Sequence, residues 1–231
     1  GFHADGTDCP QNTLPAFAKA AAYGYGMELD VHLTKDRQLA VIHDHSLRAL
    51  CGYDGTVEKM TLAELKKLHV ENTREQIPTL EEVLSLVKGR TPLLIELKGS
   101  DNGKDFCPRL METLDRYKGL YSFNPLHLRW FKKHRPEILR GQLACPMDWQ
   151  HKKTVLEKAK AFAAEMLLGN VLSRPDFIAY DYRYPRKFSV RLCRHFGAYM
   201  AGWTVRTPEA YAESREAFPI QIFEGFRPKK E

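Results

Sequence analysis

The stretch that decides the fold is Pro92-Leu93-Leu94-Ile95-Glu96-Leu97-Lys98, which is apolar at almost every position before its charged end. Apolar residues on both faces of a strand are typical of a parallel sheet that is covered by helices. The pattern therefore predicts a buried parallel strand. Glu96 and Lys98 stand two residues apart near its end, so their side chains point to the same face.

Strand-like and helix-like segments alternate on both sides of this stretch. Thr61 and Thr79 are each followed three residues later by Glu, a pattern that predicts the start of a helix. Further strands are predicted at 27–31, 39–43, 119–123, 139–143, 177–180, 199–205 and 220–223. This alternation favours an α/β barrel or a doubly wound sheet. No G-x-G-x-x-G follows a strand, which disfavours a dinucleotide-binding sheet.

Length and charge limit the class of protein. The 231 residues fit one barrel-sized domain. A formal net charge of +6 suits a small anionic substrate, whereas the scattered basic residues do not predict nucleic-acid binding. Five separated cysteines without a C-x-x-C pair predict free thiols in a reducing cytoplasm. No apolar run reaches the roughly 18 residues of a membrane span, so we expect no stable membrane insertion, while an N-terminal leader and the oligomeric state stay open.

Acidic side chains cluster on the predicted strands. Glu28 and Asp30 stand two residues apart, so both point to one face of their strand. Two carboxylates on one buried face repel each other unless a positive charge lies between them, and Glu96 could add a third oxygen. Oxygen ligands suit Mg²⁺ or Ca²⁺ better than a soft metal. The alternative is a cluster of ion pairs with Lys98.

Three further residues are candidates for chemistry. His43, followed by Asp44, ends a predicted strand, which is where catalytic groups project in a barrel. A single histidine can equally be structural. Lys98 could neutralise a phosphate or form an ion pair within the barrel. Trp203 could line a pocket or pack in the core.

Taken in order along the chain, these segments resemble the glycerophosphodiester phosphodiesterase family. The motifs that carry the resemblance are PQNTLPAF (10–17), ELDVHLTKD (28–36), VIHDHSL (41–47), IPTLEEVL (77–84), LIELK (94–98), SFNP (122–125), GWTV (202–205) and IFEGF (222–226). Each motif is weak alone, but their common order and spacing cover almost the whole chain. The resemblance implies a TIM (β/α)8 barrel with a small insertion after an early strand, expected at 53–90 within a single domain at 1–231.

The resemblance also implies an activity. Family members hydrolyse glycerophosphodiesters to sn-glycerol 3-phosphate and an alcohol, with Mg²⁺ or Ca²⁺ as cofactor. Site residues follow by position in the motifs. The implied metal ligands are Glu28, Asp30 and Glu96, the implied acid/base is His43, and the implied substrate-binding residues are Lys98 and Trp203.

This chain departs from the family pattern at its start. The family opens with a strand that ends in His-Arg-Gly, and this His is the second acid/base. Either Gly1 is that glycine, so that the first strand is truncated and the His precedes Gly1, or His3 is the catalytic residue. Gln11 stands where the family has Glu. Two other functions stay open: a barrel phosphodiesterase directed at lysophospholipids or phosphoinositides, and a non-catalytic barrel that binds a phosphodiester.

Overall fold

The computed structural model describes residues 9–99, 104–115, 125–147 and 151–228. The chain divides into two compact units, Gly1–Ser122 and Phe123–Glu231. The strand predicted at 119–123 lies outside the described residues, as does His3. No helix of the described ranges is both long enough and apolar enough to cross a membrane.

The first unit contains a three-stranded sheet in the order β2-β1-β3. Its strands are β1 (Met27–Leu33), β2 (Leu39–Val41) and β3 (Leu93–Leu97). Its helices are α1 (Leu14–Ala22), α2 (Arg48–Cys51), α3 (Leu62–Leu65), α4 (Leu80–Val87) and α5 (Phe106–Leu114), with a 3-10 turn at Val57–Lys59 between α2 and α3. β1 and β3 pair in parallel, as their apolar sequences predict.

β2 is shorter than expected and forms a hairpin with β1. It ends at Val41 instead of residue 43 and runs antiparallel to β1, with Val31 opposite Val41. The cause is the short turn between the strands, where the Thr34 amide donates to the Gln38 carbonyl at 2.9 Å. His43 therefore follows a strand that returns along β1. The expectation that His43 ends a strand was wrong, because the strand stops two residues earlier, at Val41.

Two helices begin where the sequence predicts. Thr61 caps α3 and Thr79 caps α4. Each threonine side chain accepts a hydrogen bond from the backbone amide three residues later, and the side chain of the Glu at that position accepts one from the backbone amide of the threonine. Reciprocal bonds of this kind satisfy amides that a helix start otherwise leaves unpaired. The apolar face of α4 is buried, at Leu80, Val83, Leu84 and Val87.

A small core lies between β2 and α4. It consists of buried apolar side chains from β2 and from the loops and short helices that follow it, namely Ala40, Ile42, Leu47, Leu50, Val57, Leu65, Val70 and Ile77. This core fixes the 3-10 turn, because Val57 at its start is fully buried. The insertion expected at 53–90 and the single domain at 1–231 stay predictions.

The second unit contains a parallel sheet in the order β4-β5-β6-β7. Its strands are β4 (Gly141–Ala144), β5 (Phe177–Asp181), β6 (Tyr199–Val205) and β7 (Ile220–Phe223). Its helices are α6 (Pro125–His134), α7 (Val155–Glu165), α8 (Asn170–Ser173), α9 (Phe188–His195) and α10 (Pro208–Ser214). A core around Tyr180 and Phe218 packs against this sheet. Gly202 lets β6 approach Phe218, since an added Cβ would lie 2.9 Å from the Phe218 Cβ.

Candidate metal and catalytic site

The pairing of β1 with β3 brings three carboxylates together. Asp30 lies opposite Glu96 in the parallel register, and Glu28 precedes Asp30 by two residues on β1. One carboxylate oxygen from each residue can be chosen so that the three atoms lie within 4.8 Å of one another. Asp30 is only 2% exposed, while Glu28 and Glu96 keep partial access to solvent. Pairing of β1 with β3 therefore builds a group of three oxygen ligands that suits a hard cation, called here the carboxylate cluster.

Lys98 supplies a positive charge to the same cluster. Its Nζ lies 3.1 Å from Asp30 Oδ1 and 2.7 Å from Glu96 Oε1. Burial lowers the pKa of Lys98, but the Asp30 and Glu96 carboxylates outweigh burial, so the pKa lies above its usual value. The ammonium is consequently held in its charged form by the oxygens that a metal ion would use.

One lysine does not balance the three carboxylates. Burial, and then repulsion from Asp30 and Glu96, raises the pKa of Glu28 to about 8. Although Lys98 is near, Asp30 Oδ1 has no well-directed hydrogen bond from the described residues. The Lys98 ammonium at 3.1 Å, which also pairs with Glu96, compensates this buried oxygen only in part. Both observations fit a divalent cation bound by these oxygens, which are the ligand type that Mg²⁺ and Ca²⁺ prefer.

Asn12 is a site residue to which the sequence argument gave no role. Its Nδ2 donates to Asp30 Oδ2 at 3.0 Å, and both side chains are buried. The backbone of Asn12 has φ +56°, a left-handed conformation that Asn adopts more readily than most residues. Asn12 thereby holds one oxygen of the Asp30 carboxylate while Lys98 pairs with the other. The available signal was its place in the PQNTLPAF motif.

His43 lies beside this cluster along the backbone. The Ile42 amide donates to the Asp30 carbonyl at 3.1 Å, which holds the segment before His43 against β1. The His43 side chain is 52% exposed, and its Nδ1 lies 2.7 Å from Asp44 Oδ1. A carboxylate on one ring nitrogen orients the ring and leaves Nε2 available for proton transfer.

The structure brings together some of the predicted site residues. Glu28, Asp30, Glu96 and Lys98 form one cluster, and His43 is tied to it through the backbone. Trp203 is on β6 in the second unit, partly buried, and its Nε1 has no hydrogen-bond partner within the described ranges.

Comparison with solved structures supports the barrel. The chain is similar to a glycerophosphodiester phosphodiesterase of Thermotoga maritima, with 26% identity and a TM-score of 0.73 over 96% of this chain and 92% of that chain. It is also similar to a phosphodiesterase of Oleispira antarctica that was solved with the product sn-glycerol-3-phosphate. There the TM-score is 0.77, with 22% identity over 97% of this chain and 91% of that chain. The predicted (β/α)8 barrel fold is confirmed by these similarities.

Sequence comparison gives the same family. A glycerophosphodiester phosphodiesterase of Caldanaerobacter subterraneus subsp. tengcongensis is 36% identical over 60% of this chain and 63% of its own length. The chain thus spans less than two thirds of the length of this relative. The model of the glycerophosphoryl diester phosphodiesterase family matches residues 3–221. The chain, with its carboxylate cluster on β1 and β3, belongs to the glycerophosphoryl diester phosphodiesterase family.

Proposed function

We propose that the protein hydrolyses glycerophosphodiesters to sn-glycerol 3-phosphate and an alcohol, with a divalent cation and acid/base catalysis. The observation that carries this proposal is the convergence of the Glu28, Asp30 and Glu96 oxygens within 4.8 Å. Family membership and the named activity of the Caldanaerobacter relative support it. A small-molecule substrate and a cytoplasmic location belong to the same proposal.

The cofactor in this proposal is Mg²⁺ or Ca²⁺. Glu28, Asp30 and Glu96 would hold it, and when bound it supplies Lewis-acid stabilisation of phosphate charge. Lys98 would then turn its ammonium from the carboxylates to the substrate phosphate, where a fixed positive charge stabilises charge that develops in the transition state. Its ion pairs at 3.1 and 2.7 Å keep it beside the cluster until the substrate arrives.

Proton transfer in this proposal rests on His43. Phosphodiester hydrolysis needs one group that accepts a proton from the nucleophile and one that donates a proton to the leaving oxygen. His43 would fill one of these roles, oriented by Asp44. The second group would be His3 or a histidine preceding Gly1, and Trp203 would contact the substrate.

The test is hydrolysis of glycerophosphocholine by the purified protein. Release of sn-glycerol 3-phosphate is measured after EDTA treatment, and again after Mg²⁺ or Ca²⁺ is restored. We expect activity that is lost with EDTA and regained with one cation, and that is abolished by Glu96→Gln. Glu213→Gln is the matched control, because Glu213 is exposed on α10 and is not one of the three clustered carboxylates. Absence of hydrolysis with either cation, on choline, ethanolamine and inositol diesters, would favour the binding-only barrel.

A second candidate function has one observation in its favour. The segment from α7 to α8 exposes large apolar side chains, namely Phe162, Leu168, Val171 and Leu172. Exposed apolar side chains close together are typical of surfaces that contact lipids or proteins. Lysophospholipid hydrolysis is tested by comparing lysophosphatidylcholine micelles with glycerophosphocholine. A Val171→Ser, Leu172→Ser double variant should lose only the micellar activity if this function is correct.

A further inference from the structure

A second cluster of possible metal ligands lies in the first unit, distinct in its residues from the carboxylate cluster. It consists of His32, His45 and Glu58, and is called here the His32 cluster. His32 is on β1, His45 is in the loop after β2, and Glu58 is in the 3-10 turn Val57–Lys59. One ligand atom from each can be chosen so that the three lie within 4.8 Å of one another. The proposed hydrolysis gives these residues no role.

The two imidazole rings converge on one carboxylate oxygen. Glu58 Oε1 lies 2.7 Å from His32 Nδ1 and 2.8 Å from His45 Nδ1. His32 Nε2 lies 3.3 Å from the His43 carbonyl oxygen. A carbonyl oxygen only accepts, so the tautomer with its proton on Nε2 donates to the His43 carbonyl and leaves the Nδ1 lone pair facing Glu58, while the tautomer with its proton on Nδ1 donates to Glu58. A proton closes each of these contacts in a hydrogen-bonded network, and a metal ion in its place would join both rings to the carboxylate at once.

The second oxygen of the Glu58 carboxylate is the more direct indication of a missing ligand. Glu58 Oε2 is buried and has no hydrogen-bond partner among the residues that the structure describes. A buried carboxylate oxygen is normally paired with a donor or a metal ion. His32 is also buried, with 1% exposure, and its Nε2 lies within hydrogen-bond distance of a backbone carbonyl, to which Nε2–H would donate when Nδ1 binds a metal ion. Metal-binding histidines commonly donate their second ring N–H in this way.

The ligand types indicate which metal fits. Two imidazole nitrogens and one carboxylate are typical of Zn²⁺ and similar transition metals, whereas Mg²⁺ and Ca²⁺ prefer oxygen alone. Metal bonds of about 2.1 Å in a tetrahedral site separate the ligand atoms by about 3.4 Å. The contacts at 2.7 and 2.8 Å would therefore open slightly. His45 can make this adjustment because its side chain is 69% exposed.

We propose that the His32 cluster is a transition-metal site that binds Zn²⁺ and ties the 3-10 turn and the loop after β2 to β1. The fourth position would be open to solvent beside the exposed His45 ring. Since His32 also contacts the His43 carbonyl, the bound metal would fix the backbone of the segment that carries His43. This proposal is independent of the hydrolysis proposed above, because its readout is metal binding.

The test is a Co²⁺ titration of the metal-stripped full chain in excess Mg²⁺, followed by visible absorption. We expect one equivalent of Co²⁺ with a ligand-field spectrum that includes nitrogen ligands, and its displacement by Zn²⁺. His45→Gln and Glu58→Gln should each weaken Co²⁺ binding at least about 100-fold, since loss of a direct ligand exceeds loss of an outer contact. Circular dichroism checks that each variant is folded.

Two controls separate this site from other metal sites. His69→Gln removes an exposed histidine outside the cluster and should leave the titration unchanged. Asp30→Asn alters the carboxylate cluster and should also keep the Co²⁺ spectrum, even if hydrolysis is lost. The proposal is overturned if the wild-type protein gives no Co²⁺ spectrum, or if His45→Gln and Glu58→Gln both bind Co²⁺ as the wild type does. The His32 cluster would then be a hydrogen-bonded network only.

Discussion

His43 is half exposed, and its ring is held by Asp44 at 2.7 Å. Replacement by Ala removes the imidazole to which we assign proton transfer, and it removes little packing, so the fold should persist. We expect His43→Ala to lower kcat for glycerophosphocholine by about 10²–10⁴, the usual contribution of one acid/base group. His69→Ala is the matched control, since His69 is exposed and distant in sequence. Near-normal turnover of His43→Ala would remove His43 from the mechanism.

Asn12 tests how the carboxylate cluster is positioned. Asn12→Ala removes the donor to Asp30 Oδ2, so Asp30 should hold a cation less firmly. Loss of such an outer contact typically weakens metal affinity by about 10–100-fold. Asn72→Ala is a close control, because Asn72 is also left-handed, with φ +58°, but is exposed. Calorimetric titration with Mg²⁺ or Ca²⁺ compares the two. Equal affinities in both variants would show that Asn12 does not position Asp30.

At the scale of elements, two helices with the same cap differ in burial. Thr79 caps α4, whose apolar face is buried, whereas Thr154 caps α7, which begins with the exposed Val155 and Leu156. Thr79→Ala should lower the free energy of unfolding by about 1 kcal/mol. Thr154→Ala should lower it less, because an unpacked first turn can fray without disturbing a core. Urea unfolding of both variants measures the difference, and an equal loss would contradict this account.

The sequence predicted a helix or strand most accurately where a few neighbouring residues determine it. The apolar run at β3 and the Thr-Glu spacing before α3 and α4 each depend on a few neighbouring residues, and all three elements were confirmed. The direction of β2 and the position of His43 depend on how a hairpin returns along β1, which no local pattern states. The same is true of Glu58, which reaches His32 across 26 residues.

At the scale of the whole molecule, the family motifs predicted that residues on different strands share one site, which the pattern of a single strand could not predict. Glu28, Asp30, Glu96 and Lys98 were predicted from two separate strands, and the parallel register brings them together. Asn12 was not predicted, because its contact depends on a left-handed backbone and on the packing of the segment before α1. The second unit contains Trp203, and its contact with the substrate stays a prediction.

Cation binding should change the stability of the whole protein. Burial, and then repulsion from Asp30, raises the pKa of Glu28 to about 8, so the metal-free fold disfavours the ionised carboxylate that a cation requires. Glu28→Gln removes this conflict, and we expect a higher Tm than that of the wild type in EDTA at pH 7. A cation present at 100 times its Kd stabilises the folded state by about 2.7 kcal/mol.

The variant should respond less to that cation, because it lacks one of the three ligands. Thermal unfolding of both proteins in EDTA, Mg²⁺ and Ca²⁺ measures both effects, with Glu213→Gln as the surface control. A lower Tm for Glu28→Gln in EDTA would show that its carboxylate stabilises the metal-free fold. An unchanged response to the cation would show that Glu28 is not a ligand. The variant should have a higher Tm in EDTA and a smaller increase in Tm when the cation is added. A general loss of stability would not produce both results.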